Sequence, residues 1–488
     1  MNEPVRRLSV LILVLFLTLM GAASYIQVID AGNLNADGRN VRTLYREFGN
    51  FRGPIVVDGD QVVWSEPVDD PFKYQRTYSD STLYSAVTGY YSIVFGSTGI
   101  EAAEDGLLSG SADALFWTRM GNLLSGETQR GASVELTLSA AVQRAATDAL
   151  GDQPGAVVAL DPSTGAIKAL VTSPTYDAEA LAGHDTAAVN DAYQNLLGQD
   201  DGPLVNRAIG GDTYPPGSTF KLITAAAALE SGYTADTELY APDQLELPDT
   251  TATMGNYGGG SCGDGERTTL AEAIRISCNT AFGNLGITLG WNVIEREAKE
   301  FGWGESLSIP LAVTPSRLPE DPDRAQAAMS AIGQFDVRAT PLQMAMVAAG
   351  IANDGVLMQP YLVEQVRDSD LRIIEQSEPV EMSRPMSASD ANELTDMMVA
   401  VVESGSATAA QIPGVEIAAK TGTAETGRDE PPHTWIVAFA PAKDPQVAVA
   451  VVVDNGGTLG AAGQTVTGGT VAAPIARQVI EAALAEEG

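Results

Sequence analysis

A chain of 488 residues is long enough for two or three domains with large buried cores. Its 63 acidic residues against 28 basic ones leave a net charge of -35, and no basic stripe interrupts the surplus, which excludes a partner held through a phosphate backbone and so a nucleic-acid function. The two histidines, His184 and His433, are too few for a histidine-rich metal site or a Ser-His-Asp triad, and no carboxylate cluster with ligand spacing stands beside either.

At the N-terminus Arg6 and Arg7 precede LSVLILVLFLTLMGAASYIQVI, residues 8–29, a run without a charged residue. As a helix it measures about 33 Å at roughly 1.5 Å per residue, enough to cross a bilayer, and the two arginines hold its start in the cytoplasm, so the rest of the chain lies outside. A cleaved signal peptide is the alternative, with Ala22, Ala23 and Ser24 as small residues near a cut, although the run exceeds the roughly 7 to 15 residues of a signal core.

Residues 31–130 carry short apolar strands such as GPIVVDG and QVVWSE split by Gly, Asp and Pro, which predicts a β-rich module without a chemical motif. From Gly131 the texture changes. VELTLSAAVQRAATDAL predicts a strand and an amphipathic helix, and GAVVALDPSTGAIKALVTSP a hairpin. A helical stretch from about Pro216 to Gly355 follows, broken by MGNYGGGSCGDGE. Three strands, EIAAKTGTAE, HTWIVAFAPA and QVAVAVVVDN, and a helix over 471–485 close the chain. Two strands, a helical insert, three strands and a helix predict an α+β domain: one antiparallel sheet with helices on both faces.

Chemistry enters at YPPGSTFKLITAAAALESG, residues 214–232. Pro215 and Pro216 stiffen a loop, Gly217 is a hinge, and a helix starts at about Thr219 with Ser218 as its N-cap. Lys221 then faces the positive end of the helix dipole, at a cost of roughly 0.3 to 1 kcal/mol. Of the six lysines only this one has a serine three positions before it, and residues three apart share a helix face, so its amine can reach the Ser218 hydroxyl. The position is poor for stability and good for a base.

A lysine base must be neutral, and bringing its pKa from about 10.4 to neutrality takes on the order of 4 to 5 kcal/mol. The dipole supplies only about 0.3 to 2 kcal/mol. Desolvation and a second cation must supply the rest, and Lys420, opening KTGT at a strand start, is the candidate. Between the two lies Ser277-Cys278-Asn279, at the end of the helical stretch TLAEAIRISCNTAFGNLG, which alone reads as a cap or a solvated face. GGGSCG over 258–263 fits GxGxxG only formally, since it follows no strand and opens no helix. Cys262 and Cys278, the only cysteines, are a possible disulfide in an exported chain and free thiols in a cytosolic one.

Taken in order, SxxK, SxN and KTG resemble the motif set of penicillin-binding proteins and β-lactamases. The chain resembles a class B, monofunctional penicillin-binding protein, of the penicillin-binding protein A group of actinobacteria. NRAIGGDTYPPGSTFK, SCNTAFGNLG, ATPLQMAMVAAGIANDG, KTGTAE and HTWIVAFAP are similar to family blocks in family order, as are FRGPIVVDG and GSTGIEAAEDGLLSG in the front module. There Val57 and Asp58 stand where the family has an acidic residue and an arginine.

The resemblance implies a penicillin-binding transpeptidase fold over 131–488, a non-catalytic pedestal over 31–130, and a cytoplasmic tip with a single-pass membrane anchor over 1–30. It implies a serine D,D-transpeptidase that cross-links peptidoglycan stem peptides outside the membrane, needs no cofactor or metal, and is acylated by β-lactams. Ser218 would be the nucleophile, Lys221 its base, Ser277 a proton relay to the leaving D-alanine, Asn279 a contact to the substrate amide, and Lys420 the source of the local potential. Thr421 and Thr423 would take the substrate carboxylate, and Gly422 would let substrate lie along the strand. Its partners would be a membrane glycosyltransferase and division or elongation proteins. Three rivals remain: a β-lactamase or D,D-carboxypeptidase, which needs a base for water that the sequence does not show; a β-lactam sensor, which needs further membrane spans or a cytoplasmic effector; and a scaffold, which an intact trio argues against.

Overall fold

The computed structural model describes residues 3–30, 45, 48–115, 130–426, 430–463 and 465–486. They form two compact units, one within Met1–Phe51 and Ser65–Gln75, the other within Arg52–Trp64 and Arg76–Gly488. In the first, an α-helix Glu3–Ser24 continues as one π-helical turn, Tyr25–Ile29. Among the described residues this is the one helix long and apolar enough to cross a membrane.

In the second unit five strands form an antiparallel sheet in the order Ala418–Ala424, His433–Ala440, Val447–Val453, Gly155–Leu160, Ile167–Ser173. Val447–Val453 reads VAVAVVV and is buried at every position. A strand alternates only when one face meets water, and here both faces are covered. Helix Ala472–Glu486 packs on the sheet together with Ala140–Leu150, and the wholly buried helix Pro341–Ala352 packs against the same strands. The last begins at Thr340, whose hydroxyl accepts from Gln343 N–H, with Pro341 in the first position, where a missing N–H does no harm. Ala418–Ala424 lies at one edge of the sheet and Ile167–Ser173 at the other.

The front of the chain carries five short strands between residues 55 and 97. Beside its strands it carries helices Ser81–Thr88, Gly99–Ala103 and Asp105–Leu108. Strand Ile55–Val57 runs parallel to Ser133–Leu136, which in turn pairs with Val363–Arg367, so this sheet draws strands from both sides of residue 131. The two family-like blocks of this region meet in an ion cluster. Arg52 Nε lies 2.5 Å from Glu101 Oε2, Arg52 Nη1 2.6 Å from Asp105 Oδ1, and Arg76 Nε 2.5 Å from Glu101 Oε1. Burial alone would raise the Glu101 carboxyl, but Arg76 and Arg52 outweigh it and hold the group below its ordinary range.

Candidate active site

The turn that carries Ser218 is built before the helix starts. Gly217–Phe220 is a 3-10 turn and the α-helix runs Lys221–Glu230. Gly217 adopts φ +54°, and a Cβ there would stand 3.0 Å from Ala424 Cβ and 3.1 Å from Thr423 O, so the turn is pressed onto the edge strand. Gly217 N–H donates to Gly333 O at 3.0 Å, Trp435 Nε1 donates to Pro215 O at 3.1 Å, and Thr219 Oγ1 donates to Pro216 O at 2.7 Å. Ser218 is therefore not an N-cap: it sits inside the turn, its side chain accepts no capping bond, and it lines an open cleft.

Lys221 and Lys420 are both 0% exposed. Lys221 Nζ donates to Ser277 O and to Asn279 Oδ1, both at 2.7 Å, and lies 3.3 Å from Ser277 Oγ. Lys420 Nζ donates to the same Ser277 Oγ at 2.8 Å and to Thr421 O at 3.0 Å. One hydroxyl thus joins two buried amines. Among the described residues no hydrogen bond links Lys221 to the Ser218 hydroxyl; the amine faces Ser277 and Asn279. Burial, and after it the Lys420 charge, pushes Lys221 well below the ordinary lysine range, and burial brings Lys420 down to about 7. Lys420 is the third residue of its strand rather than the first.

Ser277 owes its position to the way helix Leu270–Arg275 stops. Its N–H donates to Ile274 O at 3.2 Å and the Cys278 N–H to Ala273 O at 2.9 Å, the bond pair of a Schellman stop, with Ser277 at φ +62° where glycine is the usual residue. The chain then re-enters a helix, Asn279–Leu289. Asn279 Nδ2 donates to Gly255 O at 3.2 Å, which turns its oxygen to Lys221. Cys262 and Cys278 form a disulfide, with Cα atoms 5.9 Å apart, tying the Gly-rich loop to the SxN segment. His433 starts a buried strand, and its Nδ1 accepts from Asn455 N–H at 3.2 Å.

Thr421 and Thr423 line the cleft with Ser218, Ser277 and Asn279. Thr421 Oγ1 lies 2.5 Å from Ser406 Oγ, and Thr423 Oγ1 accepts from Gly468 N–H at 3.4 Å. Gly422 is also constrained by packing within the chain. A Cβ there would lie 2.9 Å from Pro216 O, 3.0 Å from Trp435 Cβ and 3.1 Å from Thr219 Cγ2, so the residue is small to admit the Ser218 turn. Sequence reasoning missed Ser406 and Asn256, both of which line the cleft. Among the described residues no group of three or more His, Cys, Asp or Glu is set to hold a metal ion.

Residues 155–481 match the penicillin binding protein transpeptidase domain, and residues 52–134 the penicillin binding protein A dimerisation domain. The chain belongs to the penicillin-binding protein family. The peptidoglycan D,D-transpeptidase PbpA of Mycolicibacterium smegmatis is 46% identical, over 100% of both chains. Penicillin-binding protein A of M. tuberculosis, solved as an acyl-enzyme complex, is 44% identical with a TM-score of 0.87, over 90% of this chain and 100% of that one. The same protein as a penicillin G acyl-enzyme complex gives a TM-score of 0.84 at 44% identity, over 89% and 100%. In this penicillin-binding protein the three motifs, spread over more than two hundred positions of sequence, face one cleft.

Proposed function

We infer that the chain is a peptidoglycan D,D-transpeptidase working through an acyl-serine, with Ser218, Lys221, Ser277, Asn279 and Lys420 as its reacting group. One observation carries the assignment of roles: Ser277 Oγ lies between two fully buried lysine amines, beside the cleft that holds Ser218. A neutral amine has two N–H groups and one lone pair. On Lys221 the two close acceptors, Ser277 O and Asn279 Oδ1, take both N–H groups, which leaves the lone pair for a proton. Ser218 Oγ attacks the carbonyl of a D-Ala-D-Ala peptide bond and gives its proton to Lys221. The C–N bond breaks as the departing D-alanine nitrogen takes a proton through Ser277 Oγ. An amine of a neighbouring strand then attacks the ester carbonyl, its proton passes by way of Lys221 to Ser218 Oγ as the ester C–O bond breaks, and Ser218 is restored.

Two backbone N–H groups, of Ser218 and Thr423, serve the oxyanion, and loss of one such donor costs about 10²- to 10³-fold in rate. Thr421 and Thr423 receive the substrate carboxylate, and Lys420 holds the local potential positive. The N-terminal helix anchors the chain, residues 31–130 form a pedestal, and residues 131–488 face the cell wall from outside the membrane. The partners this arrangement calls for are a glycan-polymerising glycosyltransferase and division or elongation proteins.

The test is intact-protein mass of the full chain in detergent, mixed with benzylpenicillin beside Ser218→Ala. A single stable adduct confined to the wild type is expected. Rapid loss of the adduct with turnover of the drug would make the protein a hydrolase, and no adduct on folded protein would remove the acyl-serine.

A further inference from the structure

Helix Asn279–Leu289 opens with a poor cap of its own: the N-cap is Cys278, whose sulfur lies in the disulfide and accepts from Ala281 N–H at 3.4 Å. Sulfur is a weak acceptor, and the first N–H groups of a helix need partners. They find one outside the helix. Asn256 Oδ1 accepts from Asn279 N–H at 2.9 Å and from Thr280 N–H at 3.1 Å. Two donors on one side fix which end of the Asn256 amide is oxygen. Its Nδ2 then donates to Gly260 O at 3.1 Å and to Thr280 Oγ1 at 3.3 Å. The preceding residue, Gly255, accepts from Asn279 Nδ2 at 3.2 Å. Asn279 is thus gripped through its backbone N–H by Asn256 and through its side-chain Nδ2 by Gly255, and its remaining side-chain polar atom, Oδ1, points at Lys221 Nζ at 2.7 Å.

We propose that Asn256 is a positioning residue of the acyl-transfer site, holding Asn279 in the orientation that presents its carboxamide oxygen to Lys221. The proposal rests on the transpeptidase reading above. Asn256 takes no part in the chemistry and acts through Asn279. Without it the helix start loosens, the Asn279 amide turns, and the buried Lys221 amine loses one of its two closest acceptors, Asn279 Oδ1.

The experiment follows acylation of the full chain by a fluorescent penicillin in stopped flow, separating the binding constant from the first-order acylation step. Being first-order, that step is independent of how much protein is folded. Asn256→Ala, and Asn256→Ser with a hydroxyl too short to span both amides, should slow it on the order of tenfold or more with binding little changed, as expected for a lost hydrogen bond that acts on the rate step. Asn256→Asp keeps the accepting oxygen and should recover most of the rate. Wild-type acylation in the Ala and Ser variants would overturn the proposal. So would an Asp variant as slow as Ala, or Ala and Ser variants that leave no folded protein, since each makes the residue structural. A wild-type chain without a Ser218 adduct would instead remove the functional reading itself.

Discussion

Ser277 offers a comparison in which backbone and chemistry separate. Its φ of +62° puts an L-residue in the left-handed region, which costs roughly 1 to 2 kcal/mol. Glycine is free of that cost but loses more freedom on folding, a handicap of about 0.5 to 1 kcal/mol relative to alanine. Ser277→Gly and Ser277→Ala both delete the hydroxyl between Lys221 and Lys420, so that loss cancels between them. The difference leaves the glycine variant more stable than the alanine variant by about 0.75 kcal/mol, within a span of roughly 0 to 1.5 kcal/mol, the reverse of the order in a helix or strand. Urea midpoints with matched slopes measure it. Both variants should acylate about 10²- to 10⁴-fold more slowly with benzylpenicillin, the usual worth of a placed proton-transfer group. An alanine variant more stable than the glycine one would refute the strain, and wild-type acylation in either would take Ser277 out of the proton path.

Lys420 binds fewer protons folded than unfolded between its native pKa of about 7 and the ordinary lysine value, so native stability should climb as pH rises through that window. Lys420→Met should flatten the climb, gain up to a few kcal/mol at neutral pH, and move the rise of acylation with pH to higher pH because Lys221 loses its neighbouring charge; urea midpoints and adduct formation across pH check both. Glu297 is 7% exposed, and among the described residues its Oε1 has no partner; burial first, then Glu230 and Glu300, pushes its carboxyl up to about 8. It holds its proton when folded and loses it when unfolded between the ordinary carboxyl value and about 8, so stability falls over that window, and Glu297→Gln should abolish the fall in thermal midpoints. Cys262→Ser opens a bridge between residues 16 apart, which should cost about 3 kcal/mol and slow acylation, as urea midpoints and adduct mass would report; normal acylation would uncouple the loop from Ser277.

What the sequence discloses follows from how local each cause is. The VAVAVVV strand declares burial on both faces by itself. The SxxK spacing suggests one helix face for serine and lysine, but Ser218 lies in the 3-10 turn before the helix and the Lys221 amine turns to Ser277 and Asn279. The short helices Gly99–Ala103 and Asp105–Leu108 complete barely one turn, too little for a 3.6 period to emerge against flanking strands. Ser218 reads as a cap because nothing in the sequence says that Gly217 will adopt φ +54° and pull the next residue into the turn. Asn256 and Ser406 act across 23 and 15 positions, and no spacing rule spans such gaps.

Three placements in this chain are unfavourable taken singly: a lysine at a helix start, a serine at a Schellman stop, and a second lysine with no exposure in a sheet. Independent accidents would scatter over the fold. Here all three meet at one hydroxyl, Ser277 Oγ, within 3.3 Å of both amines. Strain of this kind survives only where surrounding packing over-determines it, and the surroundings do so: the buried strand His433–Ala440 paired with that of Lys420, a turn pinned by Trp435 beside Ser218, and a loop stapled and hydrogen-bonded to the start of the Asn279 helix. The rigid scaffold keeps both amines buried, and burial first, with the Lys420 charge after it, holds the Lys221 amine well below the ordinary lysine range.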